Sequence, residues 1–466
     1  MLDFKHINVR NAPKLRKYYK NCTYRLCEYS VGVKLMWRQH FSPDFAEAEN
    51  CLIVRNASHG DVYFDWPVPL HPGGSVEPAL DLIDAYCVEH GIAPSFCLVP
   101  EEDMPILTSR YSGLQIRCTR TWQDYLYHAE DLAAFAGRKY SGQRNHINKF
   151  KKLYPDAHFR PITPDDREEL ERFWDAFHLA FNKENALAKK ELCYARKLTR
   201  QIGRSWCLAG AIELDGEFIA ISLGEICGDT LICHIEKGLP QYEGVYPMMV
   251  QSFAAYYGKD CALINREDDG ADRGLRTSKT QYLPCAMGKK YRVQAVTELQ
   301  ALEQIPTLST ERLTLDAIGT GDIPAYNRLC LDDERNRWWG YDYKKDLKGP
   351  LRENWFYRVA RNDFKNRLAI NFAIRLDGQM IGEAVLYHFD CRGGAELGCR
   401  ILPEFAGKGY GAEAFARAAD WSLYELGLSV LRAKCYHENT ASHKMLSACM
   451  RPAGEDETFC YFEKRI

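Results

Sequence analysis

The chain has 466 residues, of which 46% are hydrophobic, 27% charged and 12% aromatic, and its formal net charge is −2. Such a composition suits packed domains rather than disorder, and at roughly 150 residues per domain it predicts about three folding units. Near-neutral charge excludes a global pull onto nucleic acid or an anionic membrane, so any polyanion site must be a local patch.

At the N-terminus, MLDFKHINVRNAPKLRKYYK scatters charge and lacks the apolar core of a secretory signal. No apolar run approaches the roughly 20 residues needed to cross a bilayer. The expectation is a cytoplasmic protein with no membrane span. Eighteen cysteines lie between Cys22 and Cys460, never at C-x-x-C spacing, and H-E-x-x-H is missing. This pattern predicts reduced thiols and no metal site.

Residues 137–152, GRKYSGQRNHINKFKK, carry six Lys or Arg and no carboxylate, with Ile147, Phe150 and Tyr154 at helical spacing. They predict a basic amphipathic helix, either a solvated face or a phosphate cradle that includes Arg144, Asn145 and Lys149. Next, ITPDDREELERFWDAF predicts a helix opened by a Thr163-x-x-Asp166 cap. WCLAGAIEL, EFIAISLGEIC and TLICHIEK then predict an antiparallel meander turned at Asp215-Gly216 and Gly228-Asp229. Dense mixed charge follows around apolar ALIN. His234, Glu236, Lys237, Arg266, Glu267, Asp268, Arg276 and Lys279 are candidates for a substrate-pocket rim, against the reading of a solvated loop.

A polar stretch with Pro306 at residues 294–310 predicts a linker. Beyond it, AINFAIRL, QMIGEAVLYHF and GAELGCRIL repeat the meander, turned at Asp377-Gly378 and Arg392-Gly393-Gly394. PEFAGKGYGAEAFARAADWSLYELG then places Gly407, Gly409 and Gly411 at the start of a helix whose apolar positions are Phe415, Ala418, Ala419 and Leu423. Bare N–H groups and the positive helix end there suit a pyrophosphate, although glycines in such a turn are often merely steric. The antiparallel strands before the turn speak against a dinucleotide fold.

From residue 308 to the end, ERLTL, the AELGCRILPE strand, GKGYGAEA and Asn439 with Ser442 in N-x-x-S spacing resemble the GNAT acetyltransferase superfamily, nearest to its ribosomal-protein N-acetyltransferase branch. The resemblance implies acetyl-CoA as donor. Its pyrophosphate would sit on Gly407, Lys408, Gly409, Tyr410, Gly411 and Ala412, and its thioester would be oriented by the strand ending at Ile401 and Leu402. Asn439 and Ser442 would meet the pantetheine arm. Amine acylation needs a base and a polarised thioester oxygen, so Glu396, Glu383 and Asn439 are the catalytic candidates, though either glutamate could be an ordinary strand residue. This chain departs from the superfamily pattern at Ala406, where an Arg or Gln often stands, at Leu446, where many members carry a tyrosine acid, and at Met450-Arg451 in place of Gly-Phe.

Residues 1–295, through KYSGQRNHINKF, HIEKG with Tyr242 and Tyr246, and INREDDGADRGLRTSK, resemble the family sharing its fold with the phosphatidylglycerol lysyltransferase catalytic domain. That resemblance implies two tandem GNAT-like halves and, among relatives, aminoacyl-tRNA as donor. The expected architecture is α+β (mixed α/β), with three GNAT-like units, each a mostly antiparallel sheet flanked by helices. They would span residues 1–135 and 136–295, then a linker at 296–308, then 309–466. The expected function is acyl-CoA-dependent N-acyl transfer to a small-molecule or peptide amine, with the N-terminal region binding or modifying a second substrate. The alternatives are aminoacyl-tRNA-dependent transfer and a non-catalytic CoA or metabolite sensor. Residues 333–352, with Trp338 and Trp339 as lining or as core, are the expected acceptor loop.

Overall fold

The computed structural model describes residues 2–58, 60–181, 186–339 and 349–466. The chain forms two compact units, Met1–Met104 with Ile116–Gln294, and Pro105–Gln115 with Ala295–Ile466. Residues 340–348 of the expected acceptor loop lie outside the described residues.

Three mostly antiparallel sheets carry the fold. In the first, the strands run in the order Lys5–His6, Asp44–Ala48, Cys51–Ser58, Asp61–Asp65, Ser95–Val99, Tyr291–Val296 and Gly113–Cys118, with Val68–Pro69 paired to Cys51–Ser58. The second runs Ala286–Gly288, Asp124–His128, Leu263–Asn265, Thr230–Gly238, Glu217–Cys227, Leu208–Leu214, His158–Pro161. The third runs Leu308–Ser309, Leu313–Ala317, Ile370–Leu376, Gln379–Tyr387, Gly394–Ile401, Val430–Tyr436, Phe459–Arg465, Arg451–Glu455.

One plan recurs in all three sheets. An antiparallel meander is followed by a helix and then by a strand that pairs in parallel: Asp61–Asp65 with Ser95–Val99, Thr230–Gly238 with Leu263–Asn265, and Gly394–Ile401 with Val430–Tyr436. The crossover helices are Glu77–Glu89, Val245–Tyr257 and Tyr410–Tyr424. A parallel step needs such a crossover, because a tight turn can join only antiparallel neighbours.

Local sequence explains the elements. The Asp-Gly pairs at 215–216 and 377–378 both adopt positive φ, +51° and +78° at the first, +50° and +83° at the second. Two consecutive left-handed residues make the hairpin turn whose twist matches the flanking strands. Thr163 and Asp166 form the expected capping box ahead of the helix Arg167–Ala180. In Tyr410–Tyr424, Ala414, Phe415, Ala418, Ala419 and Leu423 are buried against the third sheet, and the Trp421 ring meets Phe372 edge-on at 5.6 Å. Burying one such large side chain contributes about 1.5–3 kcal/mol, so this stripe anchors the helix start where the glycine turn lies.

Candidate functional site

In the C-terminal unit the third sheet opens a wedge. Parallel pairing between Gly394–Ile401 and Val430–Tyr436 is confined to Gly394, Ala395 and Glu396 against Val430, Leu431 and Arg432. Beyond that point, residues 397–401 pair on their other side with Gln379–Tyr387, and residues 433–436 with Phe459–Arg465. Backbone groups facing the wedge need partners, which an extended amide-containing chain supplies. Glu396 stands at the apex. Its Oε1 lies 3.2 Å from His388 Nδ1, its Oε2 is buried without a hydrogen bond, and Lys434 Nζ stands 4.0 Å away. Burial, with Glu396 beside it, pushes the Tyr387 hydroxyl well above its usual range.

The strand then leads through Leu402 into the glycine turn. Gly407 and Gly409 have φ of +76° and +83°, and Gly409 caps the 15-residue helix Tyr410–Tyr424. A Cβ on Gly407 would meet nothing within 4 Å, and one on Gly409 only Arg312 Nη2 at 3.4 Å. The turn is open to an anion, with the helix's unpaired N–H groups and dipole behind it. Arg312, which the sequence reading did not single out, lies over the Tyr410 ring at 4.7 Å and donates to the Lys408 carbonyl at 3.3 Å. Glu413 holds it in place: burial opposes charge on this carboxyl, but hydrogen bonds from Thr310 and Arg312 keep it below its ordinary range. The signal that could have found Arg312 was its place in ERLTL, immediately before the strand Leu313–Ala317.

The remaining C-terminal candidates have structural partners. Glu383 is fully buried and pairs with Arg400 across the antiparallel ladder, Nε to Oε1 at 2.5 Å, while Arg400 Nη1 donates to Asn336 Oδ1 at 2.8 Å. Asn439 caps the helix Thr440–Cys449, its Oδ1 accepting from Ser442 N at 3.1 Å. The Leu402 N–H donates to Ile381 O at 2.8 Å, and Lys408 Nζ reaches the Glu404 carbonyl at 3.3 Å. Leu446 is buried in the core. Half-buried Trp339 lies under Arg400 at 4.6 Å and against Gly398, where a Cβ would come within 2.8 Å of the ring; Trp338 meets Tyr436 at 6.0 Å.

In the N-terminal unit a buried polar network joins the first and second sheets. His234 is enclosed by two carboxylates, with Nδ1 2.9 Å from Glu267 Oε1 and Nε2 3.2 Å from Glu225 Oε1. Burial works against a charged ring, but its hydrogen bonds to these carboxylates outweigh it and raise the pKa to about 9. Glu225 also accepts the Gly32 N–H at 2.6 Å, and His234 packs so closely on Gly32 that a Cβ there would lie 2.3 Å from Nε2. Lys290 Nζ lies 2.6 Å from Asp124, 2.7 Å from Glu28 and 3.7 Å from Asp268. Burial pushes Glu28 up to about 7 against the pull of Lys290. Lys279 donates to the carbonyls of Arg266 at 2.6 Å, Glu267 at 3.3 Å and Asp268, and burial followed by the Arg266 charge pushes its pKa down. Arg266 pairs with Glu236 at 2.7 Å beneath Tyr282, and its Nη1 is buried without a partner.

His234, Glu236, Arg266, Glu267, Asp268 and Lys279 are thus brought together, and Lys290, Asp124, Glu28 and Glu225 are added to what the sequence reading named. The other candidates stand apart. Arg144 donates to the Phe135 and Gly137 carbonyls, Asn145 is exposed, Lys149 pairs with Glu243 at 2.7 Å, Lys237 with Glu191 at 2.8 Å, and Arg276 with buried Asp269 at 2.9 Å.

The second sheet has its own glycine turn. Gly244, φ +86°, caps Val245–Tyr257 much as Gly409 caps its helix, but a Cβ there would lie 2.6 Å from the His146 carbonyl and 3.0 Å from Phe150. The basic helix Ser141–Leu153 fills the space left open at Gly409.

Meander, crossover helix and splayed parallel strand define GNAT-type acyltransferase architecture. Residues 312–449 match the acetyltransferase (GNAT) domain. Residues 20–294, more than half of the chain, match the family described as phosphatidylglycerol lysyltransferase, C-terminal, and the chain belongs to that family. A crystal structure of a conserved protein of unknown function from Bacteroides thetaiotaomicron VPI-5482 is similar at 25% identity and a TM-score of 0.56, covering 63% of this chain and 99% of that one. An uncharacterized protein of Mycoplasmoides gallisepticum is 25% identical over 178 residues, 37% of this chain; the match spans 56% of that protein's length. The uncharacterized N-acetyltransferase YoaA of Bacillus subtilis (strain 168) is 24% identical over 144 residues, 30% of this chain and 80% of that protein. Among the described residues no helix is long and apolar enough to cross a membrane.

Proposed function

We propose that the C-terminal unit transfers an acyl group, acetyl in the simplest case, from acyl-CoA to a primary amine of a small molecule or peptide. The open left-handed turn at Gly407 and Gly409, heading a 15-residue helix beside a wedge with Glu396 at its apex, carries this reading. In it, the N–H groups at residues 409–412 hold the pyrophosphate, with Arg312 supplying the positive charge that Ala406 lacks. CoA supplies the activated thioester. Strand residues 397–401 orient the pantetheine amides, and Glu396 accepts the ammonium proton through the oxygen that has no hydrogen-bond partner. Glu383, locked to Arg400, shapes the floor. The division into residues 1–135, 136–295, a linker at 296–308 and 309–466 belongs to the same proposal. Calorimetric titration of acetyl-CoA into the full chain and into Gly409→Asp tests it. Saturable binding lost in the variant is expected, and absence of binding to the parent overturns it.

For the N-terminal unit the filled turn at Gly244 favours a donor other than CoA. Aminoacyl-tRNA, met at the His234–Lys279–Lys290 network, is the second reading. Its test is salt-dependent binding of charged tRNA to the full chain.

A further inference from the structure

Three adjacent strands at one end of the third sheet gather a histidine, a cysteine and a glutamate. In the registers of Phe459–Arg465, Cys460 stands opposite Cys435 on one neighbour and opposite Glu455 on the other. Directly opposed residues of antiparallel strands project on the same face, so these side chains form one row. His437 lies two residues beyond Cys435, just past the end of Val430–Tyr436, and its Nδ1 is 3.2 Å from Cys460 Sγ. One donor atom from each of His437, Glu455 and Cys460 lies within 4.8 Å of the others.

Imidazole nitrogen, thiolate and carboxylate are the donor types of zinc. With Zn–N of about 2.0–2.1 Å and Zn–S of about 2.3 Å, tetrahedral neighbours stand about 3.4–3.6 Å apart, so the Nδ1 to Sγ spacing needs little adjustment. The ring tautomer also fits. His437 Nε2 is 2.7 Å from the Asp456 carbonyl oxygen, a contact only an N–H can make. In the neutral ring the proton therefore sits on Nε2, and the Nδ1 lone pair faces Cys460. A carbonyl that fixes the second nitrogen is how ligating histidines are commonly oriented. Asp456 is occupied elsewhere, its carboxylate accepting from the N–H groups of Thr458 and Phe459 and from the Tyr461 hydroxyl, which leaves Glu455 as the carboxylate donor.

The strand that carries Glu455 also lacks an anchor. All five residues of Arg451–Glu455 are exposed, the register slips between Pro452 and Gly454, and the strand lies at the sheet edge. Its ladder hydrogen bonds and a short contact with the helix Thr440–Cys449 are what hold it.

We propose that His437 Nδ1, Cys460 Sγ and a Glu455 carboxylate oxygen bind one zinc-class divalent cation, with water in the fourth position, as a clasp fastening this hairpin to the sheet. Binding displaces the thiol proton to solvent. The proposal uses none of the residues assigned to acyl transfer, so the two stand or fall separately. The sequence reading expected no metal; the ligands sit at spacings of 18 and 5 residues in no recognised motif, and strand register alone makes them neighbours.

The test uses the full chain, reduced and stripped with chelator, and titrated with Co²⁺ as probe. One equivalent is expected to give a thiolate-to-cobalt charge-transfer band with about one proton released, and Zn²⁺ is expected to displace it and raise Tm. Cys460→Ser should abolish the band and His437→Ala should weaken binding at least tenfold, whereas Cys435→Ser should retain it. No band in the parent, or a band undiminished in Cys460→Ser, overturns the proposal. Should Cys460→Ser change the circular dichroism, Glu455→Gln at an exposed position decides: tenfold or greater weakening supports the clasp, and unchanged affinity sinks it.

Discussion

The His234 imidazole is wedged 2.9 Å from the Glu267 carboxylate, with Glu225 on its other nitrogen, so both ring nitrogens face acceptors in a fully buried site. Two carboxylates around one ring favour the imidazolium. Its pKa of about 9 lies above the unfolded value of about 6.5. The resulting stability is fully present below about pH 6.5 and is lost as pH rises through about 9. Urea unfolding from pH 6 to 10 should show a decline of a few kcal/mol at most, since burial also pushes Glu267 up and part of the gain is shared. His234→Gln should flatten that decline and lower stability at pH 6; a profile equal to the parent's would refute the imidazolium assignment.

Glu383 and Glu396 should separate under the same mutation. Glu383→Gln strips the charge from a pair in which Arg400 is just as buried, so about 3 kcal/mol or more of stability should be lost. Glu396→Gln removes the apex carboxylate with little change in unfolding, and should lower kcat with an amine acceptor about 10²-fold or more, least at high pH where the free amine predominates. Denaturant unfolding and acetyl transfer measured on both variants check the division.

The two left-handed glycine turns also make opposite predictions. Gly409→Asp should abolish acetyl-CoA binding while moving Tm by only a few degrees. Gly244→Ala should leave CoA affinity unchanged but destabilise the chain by about 1–3 kcal/mol, because positive φ and a close carbonyl are both unfavourable for a Cβ. Calorimetry and thermal unfolding on the pair distinguish a ligand turn from a packing turn.

Lys290 sets one buried cation among three carboxylates. Lys290→Met leaves Asp124 and Glu28 facing each other without a cation, which should cost about 3–5 kcal/mol. Unlike the His234 effect, this loss should shrink at acid pH, where Glu28, already near 7, takes up a proton. Stability curves at pH 5 and pH 8 provide the comparison.

What the sequence disclosed follows the reach of each signal. Both meanders were legible because alternation and Asp-Gly turns are written within ten or so residues, and the strands Leu208–Leu214, Glu217–Cys227, Ile370–Leu376 and Gln379–Tyr387 fall where those signals point. The glycine turn was legible for the same reason. By contrast, Lys290 meets Glu28 across 262 positions, and no local pattern distinguishes a lysine bound for burial from one bound for solvent. Arg144 illustrates the converse. Its place in a basic helix suggested phosphate, yet two backbone carbonyls nine and seven residues earlier receive its guanidinium. Arg312 was hidden because its value lies in what the chain brings to it from residues 408–413.

The stoppered turn at Gly244 carries a practical corollary for chemical probes. Of the two helix entrances built on a left-handed glycine with the same backbone angles, one is vacant at its surface and the other is occupied by the chain's own His146 and Phe150. A CoA-mimicking inhibitor should therefore have one address where the repeated architecture offers two, and its dose-response should titrate a single site per chain.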